Sequence, residues 1–140
     1  MIEKIENLTV PGPTVTPTTK PFWDAVARGE FILQKCCDCS KWVFYPRSHC
    51  PHCWSNQLEW VPASGKGKLK TWSVVHRPGH PAWGEVAPYT LGVVELKEGP
   101  TMLTHLLVEP NQELKIGLPL QVKPVKVNNV WLPFFENTEE

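Results

Sequence analysis

Beyond Asn56 the apolar residues fall into short runs of roughly alternating character: Leu58–Val61, Lys68–Arg77, Tyr89–Leu96, Met102–Val108, Leu120–Val127 and Val130–Phe135. Alternation with period two places one side of each run against a core, and this pattern predicts strands. Turn residues separate the runs: Gly65 and Gly67, Pro78-Gly79, Gly99-Pro100, Gly117 and Asn128-Asn129. Asparagine tolerates positive φ, so Asn128-Asn129 suits a two-residue hairpin. Five or six short strands at this spacing predict a small closed or partly open β-barrel, a mainly β fold.

The pattern upstream is different. Phe22, Trp23 and Val26 share one side of a segment bracketed by Thr18 or Thr19, Pro21 and Gly29, which are start and stop signals of a two-turn helix. A helix that short must dock on something to persist. Residues 1–18 hold prolines and threonines without apolar periodicity and read as an extended or disordered arm, or one lying along a partner.

Composition narrows the function classes. With 14 Lys+Arg against 14 Asp+Glu the formal net charge is zero, whereas general nucleic-acid binders carry a basic excess. No apolar run reaches the length of a membrane span, and the first ten residues lack the apolar core of a secretory signal. A cytoplasmic location is the expectation, and there reduced thiols in close pairs point to metal rather than to disulfides. The 15 prolines further disfavour long helices.

Those pairs are Cys36-x2-Cys39 and Cys50-x2-Cys53, ten residues apart. Each puts two thiolates on one tight knuckle, and two knuckles complete a tetrahedral four-sulfur shell that suits zinc, or iron as the alternative. Such a site is closed to water and substrate, so it holds structure rather than catalysing. Metal binding and folding of so small a ribbon should be coupled. Cys37 reads as a spare thiol, and His49 and His52 as flanking imidazoles. No complete nucleophile–base motif occurs, and His105, inside an alternating run, reads as structural.

One basic feature stands out. Lys66, Lys68 and Lys70 share a strand face if no bulge intervenes, and the long loop that follows carries Arg77, His80 and Trp83. Cations and an aromatic ring around one mouth suit a phosphorylated, nucleotide-like ligand. A solvated strand face fits the same residues.

The stretch from Gln34 to Cys53, then Ser64-Gly65-Lys66-Gly67, Trp72 to Arg77, Pro88-Tyr89, Val94 to Gly99, Lys115 to Pro119 and Leu132-Pro133-Phe134 resembles a thiolase-associated family of rubredoxin-like zinc ribbon plus OB-fold proteins, formerly a domain of unknown function. The resemblance implies a short helix and zinc ribbon over 19–56, an OB-fold domain over 57–136 and an acidic tail over 137–140. It also implies a noncatalytic subunit that bridges thiolase-like catalytic subunits in a hetero-oligomer and helps form their acyl-CoA channel. Degradation of aromatic compounds is one setting of the family. Coenzyme A carries phosphates and an adenine, which makes Lys66, Lys68, Arg77 and Trp83 the candidate contacts. A nucleic-acid-binding ribbon and barrel is the competing reading, disfavoured by the neutral charge.

Overall fold

Pro21 and Gly29 bracket the first helix as their backbone preferences require. The structure, a computed structural model, describes residues 5–6, 8–9, 12–109 and 112–138. Helix α1 (Lys20–Ala27) buries Phe22, Ala25 and Val26. Gly29 has φ 79°, which lets its N–H reach the Val26 carbonyl at 3.0 Å and the Glu30 N–H reach Ala25 at 2.8 Å. These paired bonds close the helix end. Thr19 occupies the cap position but does not cap with its side chain, because its hydroxyl accepts instead from the Thr16 N–H at 2.9 Å.

Three strands form the ribbon sheet: β1 (Ile32–Cys36), β2 (Trp42–Val43) and β3 (Leu58–Pro62), in the order β2-β1-β3. The alternation at Leu58–Val61 suggested a barrel strand, yet β3 pairs with β1 from Ile32↔Pro62 to Cys36↔Leu58. β2 pairs one edge of β1 at Gln34 and Lys35 only, while β3 pairs the opposite edge over its whole length. Period two marks a strand but not the sheet it joins.

The barrel comprises β4 (Lys66–Val75), β5 (Tyr89–Leu96), β6 (Thr101–Leu106), β7 (Pro119–Val127) and β8 (Val130–Asn137). It closes in the order β4-β5-β6-β8-β7, with β6 and β8 parallel at Leu106↔Phe135 and β7 paired back onto β4. This is the five-stranded OB-fold barrel. Asn128 and Asn129 take φ 48° and 66° in the β7–β8 hairpin, matching the turn chemistry. Entry into β4 depends on Gly65: its φ is +72°, and a Cβ there would lie 2.6 Å from Val122 Cγ1. The register shift in β4 lies between Leu69 and Thr71 rather than at the glycines.

One apolar core passes from α1 through β1 into the barrel, joining Phe22, Leu33, Leu69, Val94, Leu106 and Phe135. A second cluster sets Ile5 and Leu8 against Val125, Val127 and Phe134. Ile5 and Leu8, in the segment expected to be an extended or disordered arm or to lie along a partner, rest on this chain's own barrel. Among the described residues no helix is long and apolar enough to cross a membrane.

Candidate metal centre and binding surfaces

The two knuckles are built alike. Cys36 N–H donates to the Lys41 carbonyl at 2.9 Å and Ser40 N–H to the Cys36 carbonyl at 3.0 Å; Cys50 N–H donates to Ser55 and Trp54 N–H to Cys50, both at 2.8 Å. Ser40 and Trp54, each one residue past the second cysteine of its pair, both take positive φ (63° and 65°). These turns face the sulfurs toward one point. All four Sγ atoms lie within 4.8 Å of one another, with Cys36–Cys53 and Cys39–Cys50 each 3.6 Å apart. Four ligands at 2.3 Å around a tetrahedral ion sit about 3.8 Å from each other, so the constellation fits zinc and is far too open for disulfides.

Electrostatics lead to the same reading. Backbone N–H groups of Cys39 and then Asp38 favour the Cys36 thiolate and, against its burial, lower that thiol to about 7. At Cys53 the Ser55 N–H favours ionisation, but desolvation and the other three sulfurs outweigh it and push the thiol up to about 12. Four crowded thiols cannot all ionise unaided. A divalent cation removes that conflict by deprotonating its ligands outright. Further support comes from N–H···S contacts, Cys39 to Cys36 Sγ at 3.5 Å and His52 to Cys50 Sγ at 3.4 Å. His52 thus contributes through its backbone, while its ring stays outside the four-sulfur set.

The ribbon's aromatic residues divide in a way the sequence did not indicate. Trp42 and Phe44, large apolar groups on a small ribbon, are half-buried against the main core, and Lys35 Nζ lies 5.3 Å over the Trp42 ring. Trp54, at the tip of the second knuckle, is 78% exposed.

Of the candidate coenzyme A contacts, the structure brings together Lys66 and Lys68. With Lys70 and Lys97 they line a groove of about 700 Å³ bordered by Glu95 and Ile116. All three β4 lysines are exposed, although the register shift between Leu69 and Thr71 falls at Lys70 itself. Arg77 lies on the surface beyond β4. Trp83 is elsewhere, on a 3-10 turn (Pro81–Val86), with its ring 5.6 Å from Tyr89 and 5.8 Å from His105. Lys68 pairs opposite Glu95 and Val75 opposite Tyr89, so the groove and Trp83 are separated by about 20 Å along β5.

Trp83 instead borders a cavity of about 530 Å³ between the barrel wall and the α1–ribbon unit. Its barrel side holds Tyr89, His105 and Phe134, stacked with 14° between planes at 5.2 and 4.8 Å. Trp23, Phe44 and Tyr45 line the other side. His105 is only 5% exposed and its Nε2 has no hydrogen-bond partner; burial lowers its pKa to about 4, so the ring is neutral near pH 7. The alternation that marked His105 as structural gave no sign of this orphaned nitrogen, because ring stacking depends on β5 and β8 as well as β6.

Residues 23–59 match the family model described as the ChsH2 rubredoxin-like zinc ribbon domain, and residues 60–124 match the ChsH2 C-terminal OB-fold domain. The chain belongs to this family. Cys36, Cys39, Cys50 and Cys53, positioned to hold one metal ion, lie within the matched rubredoxin-like zinc ribbon, which supports a structural zinc there. The chain is 39% identical over 93 residues to a DUF35 domain-containing scaffold protein of Pyrococcus furiosus, covering 65% of this chain and 66% of that protein. It is 31% identical over 110 residues to a probable enoyl-CoA hydratase alpha subunit of Thermomonospora curvata, covering 79% of this chain but only 34% of the relative, about a third of its length. Among solved structures, a chain of an Ltp2-ChsH2(DUF35) aldolase superposes with TM-score 0.80 and 28% identity, covering 91% of this chain and all of that one.

Proposed function

We propose that this chain is a noncatalytic zinc-containing scaffold subunit of a CoA-dependent complex whose catalytic partner is thiolase-like. The reaction would be cleavage or formation of a β-ketoacyl-CoA, with an aromatic acyl group as in benzoylsuccinyl-CoA thiolase, whose small subunit the chain resembles. The observation that carries the reading is the consecutive ribbon and barrel match together with the superposition on the DUF35 chain of an aldolase. Relatives described as a scaffold protein and as a hydratase alpha subunit support a role beside a catalytic chain in a hetero-oligomer.

The chain's own groups favour an accessory role. A four-sulfur site leaves no open coordination position. Among the described residues the one Ser–His contact joins adjacent Ser48 and His49 on the surface, and buried His105 lacks a partner at Nε2. Exposed Trp54 and Ile116 are apolar surface suited to a partner. In this reading Lys66 and Lys68, joined by Lys70 and Lys97, attract the phosphates of coenzyme A. Arg77 and Trp83 would take part only if the ligand extended along β5.

The test is to purify the tagged chain from its source organism, identify the co-purifying subunit, and assay CoA-dependent cleavage of a β-ketoacyl-CoA by the chain alone and by the complex. Activity confined to a complex with a thiolase-like subunit is expected. Turnover by the chain alone, or a stable chain associated with no CoA-dependent enzyme, contradicts the proposal.

A further inference from the structure

The cavity between the barrel and the α1–ribbon unit is assembled from elements far apart in sequence, and its lining is peculiar in composition. Trp23, Phe44 and Tyr45 form one wall, and Trp83 with the stacked Tyr89, His105 and Phe134 forms the other. Among the described residues no Asp, Glu, Lys or Arg lines it. An ionic ligand would lose its hydration there without gaining a counter-charge. A planar apolar group, by contrast, would meet ring faces and edges on both sides.

Its polar atoms are few. Trp23 Nε1 donates to the Tyr45 hydroxyl at 3.0 Å, which leaves that hydroxyl's own proton to donate. Thr104 Oγ1 donates to the Pro133 carbonyl at 3.1 Å. His105 Nε2 is buried without a partner in a protein whose other buried side-chain polar atoms, among the described residues, have one. That nitrogen is closed off even from water, so of the cavity's polar groups it is the Tyr45 hydroxyl whose proton is left for a ligand. Pockets of this size commonly combine such a lining with a few convergent polar groups.

We propose that this cavity binds a neutral aromatic ring bearing a carbonyl, with the ring between the two aromatic walls and the carbonyl oxygen accepting from the Tyr45 hydroxyl. Its source, the acyl end of an aromatic β-ketoacyl-CoA, rests on the function proposed above; the site itself does not. Leu103, 67% exposed, stands at the rim and provides a surface position from which the cavity can be obstructed.

The experiment uses the zinc-loaded full chain with ¹⁵N-labelled tryptophan side chains, titrated with acetophenone, with its saturated analogue 1-cyclohexylethanone and with benzoate at neutral pH. Acetophenone should shift the indole signals of Trp23 and Trp83 saturably, the saturated ketone should bind several-fold more weakly, and benzoate should produce no saturable shift. Tyr45→Phe keeps the ring but removes the hydroxyl, and should weaken acetophenone about tenfold, the equivalent of one hydrogen bond. Leu103→Trp, on the surface, should abolish binding and remains informative if Tyr45→Phe disturbs the wall. Absent saturation, equal binding of the saturated ketone, or undiminished binding by a folded Tyr45→Phe or Leu103→Trp chain would overturn the proposal. Because the titration needs no partner, a chain that binds acetophenone yet associates with no CoA-dependent enzyme would refute the proposed function and leave the site standing. A complex whose chain fails the titration would do the reverse.

Discussion

The ribbon and the barrel are both antiparallel sheet for most of their length, yet different forces hold them. Barrel strands enclose a continuous core in which Leu69, Val94, Leu106, Leu120 and Phe135 are fully buried. The metal end of the ribbon has a buried cluster of only Cys36, Val43 and Cys50, two of them ligands. Apolar burial stabilises a sheet in proportion to the area removed from water, and the knuckles have little to remove. The four-cysteine cluster, positioned for a metal ion, is the source of order that we assign to the knuckles. The root of the ribbon is different again, since Leu33 and α1 share the barrel's core. Metal and packing therefore act at opposite ends of one small sheet.

The sharpest way to break this contrast is Cys50→Ser with Cys53→Ser. Zinc contributes on the order of 10–16 kcal/mol to the folding of small structural sites, so the variant should lose its metal and its ordered knuckles. Metal analysis and solubility check this, and failure to join the catalytic complex is expected with it. Bound zinc undiminished in the variant would remove the premise.

The barrel's counterpart is Leu106→Ala. Leu106 is fully buried beside Gly92, where an added Cβ would already meet it at 2.7 Å. Its truncation should destabilise the domain by about 2–5 kcal/mol in urea unfolding while zinc content stays unchanged.

A smaller effect separates the two regions by pH. The folded chain withholds a proton from His105 down to about pH 4, whereas the unfolded chain accepts it near 6.5. Stability from this group is complete above pH 6.5 and is lost as pH falls toward 4, a difference of about 3 kcal/mol. His105→Phe should flatten that acid limb in stability measured from pH 7 to 4. An unchanged limb would show that other groups produce it.

The smallest effect is expected at the lysine groove. Lys66 and Lys68 are exposed, so each should contribute less than about 1 kcal/mol to binding a phosphate. In the assembled complex Lys66→Ala and Lys68→Ala should raise KM for CoA by at most about fivefold, with kcat little altered and the effect shrinking at high salt. Unchanged KM in both would place the phosphates elsewhere.

The sequence was most informative where chemistry is local. Cys36-x2-Cys39 and Cys50-x2-Cys53 encode their own knuckles, and Asn128-Asn129 and Gly29 take the positive φ that their composition permits. Strand positions were readable from alternation because the barrel has a buried face. Partnership was not: β3 alternates like a barrel strand but completes the ribbon sheet. The same limit hid the aromatic cavity, whose walls come from α1, the ribbon and four segments of the barrel domain. Trp83 likewise lies in a different cavity from Lys66 and Lys68, which the sequence grouped with it around one mouth.

The most direct measurement of the division between metal and packing is a chelator titration of the ¹⁵N-labelled chain, with zinc release and backbone amide signals followed together. One zinc per chain should leave, and amide signals from the knuckles around Cys36–Ser40 and Cys50–Ser55 should collapse while those of β4 to β8 keep their positions. Less than one zinc per chain at the start, or knuckle signals that survive its removal, would contradict a metal-held ribbon on a packing-held barrel.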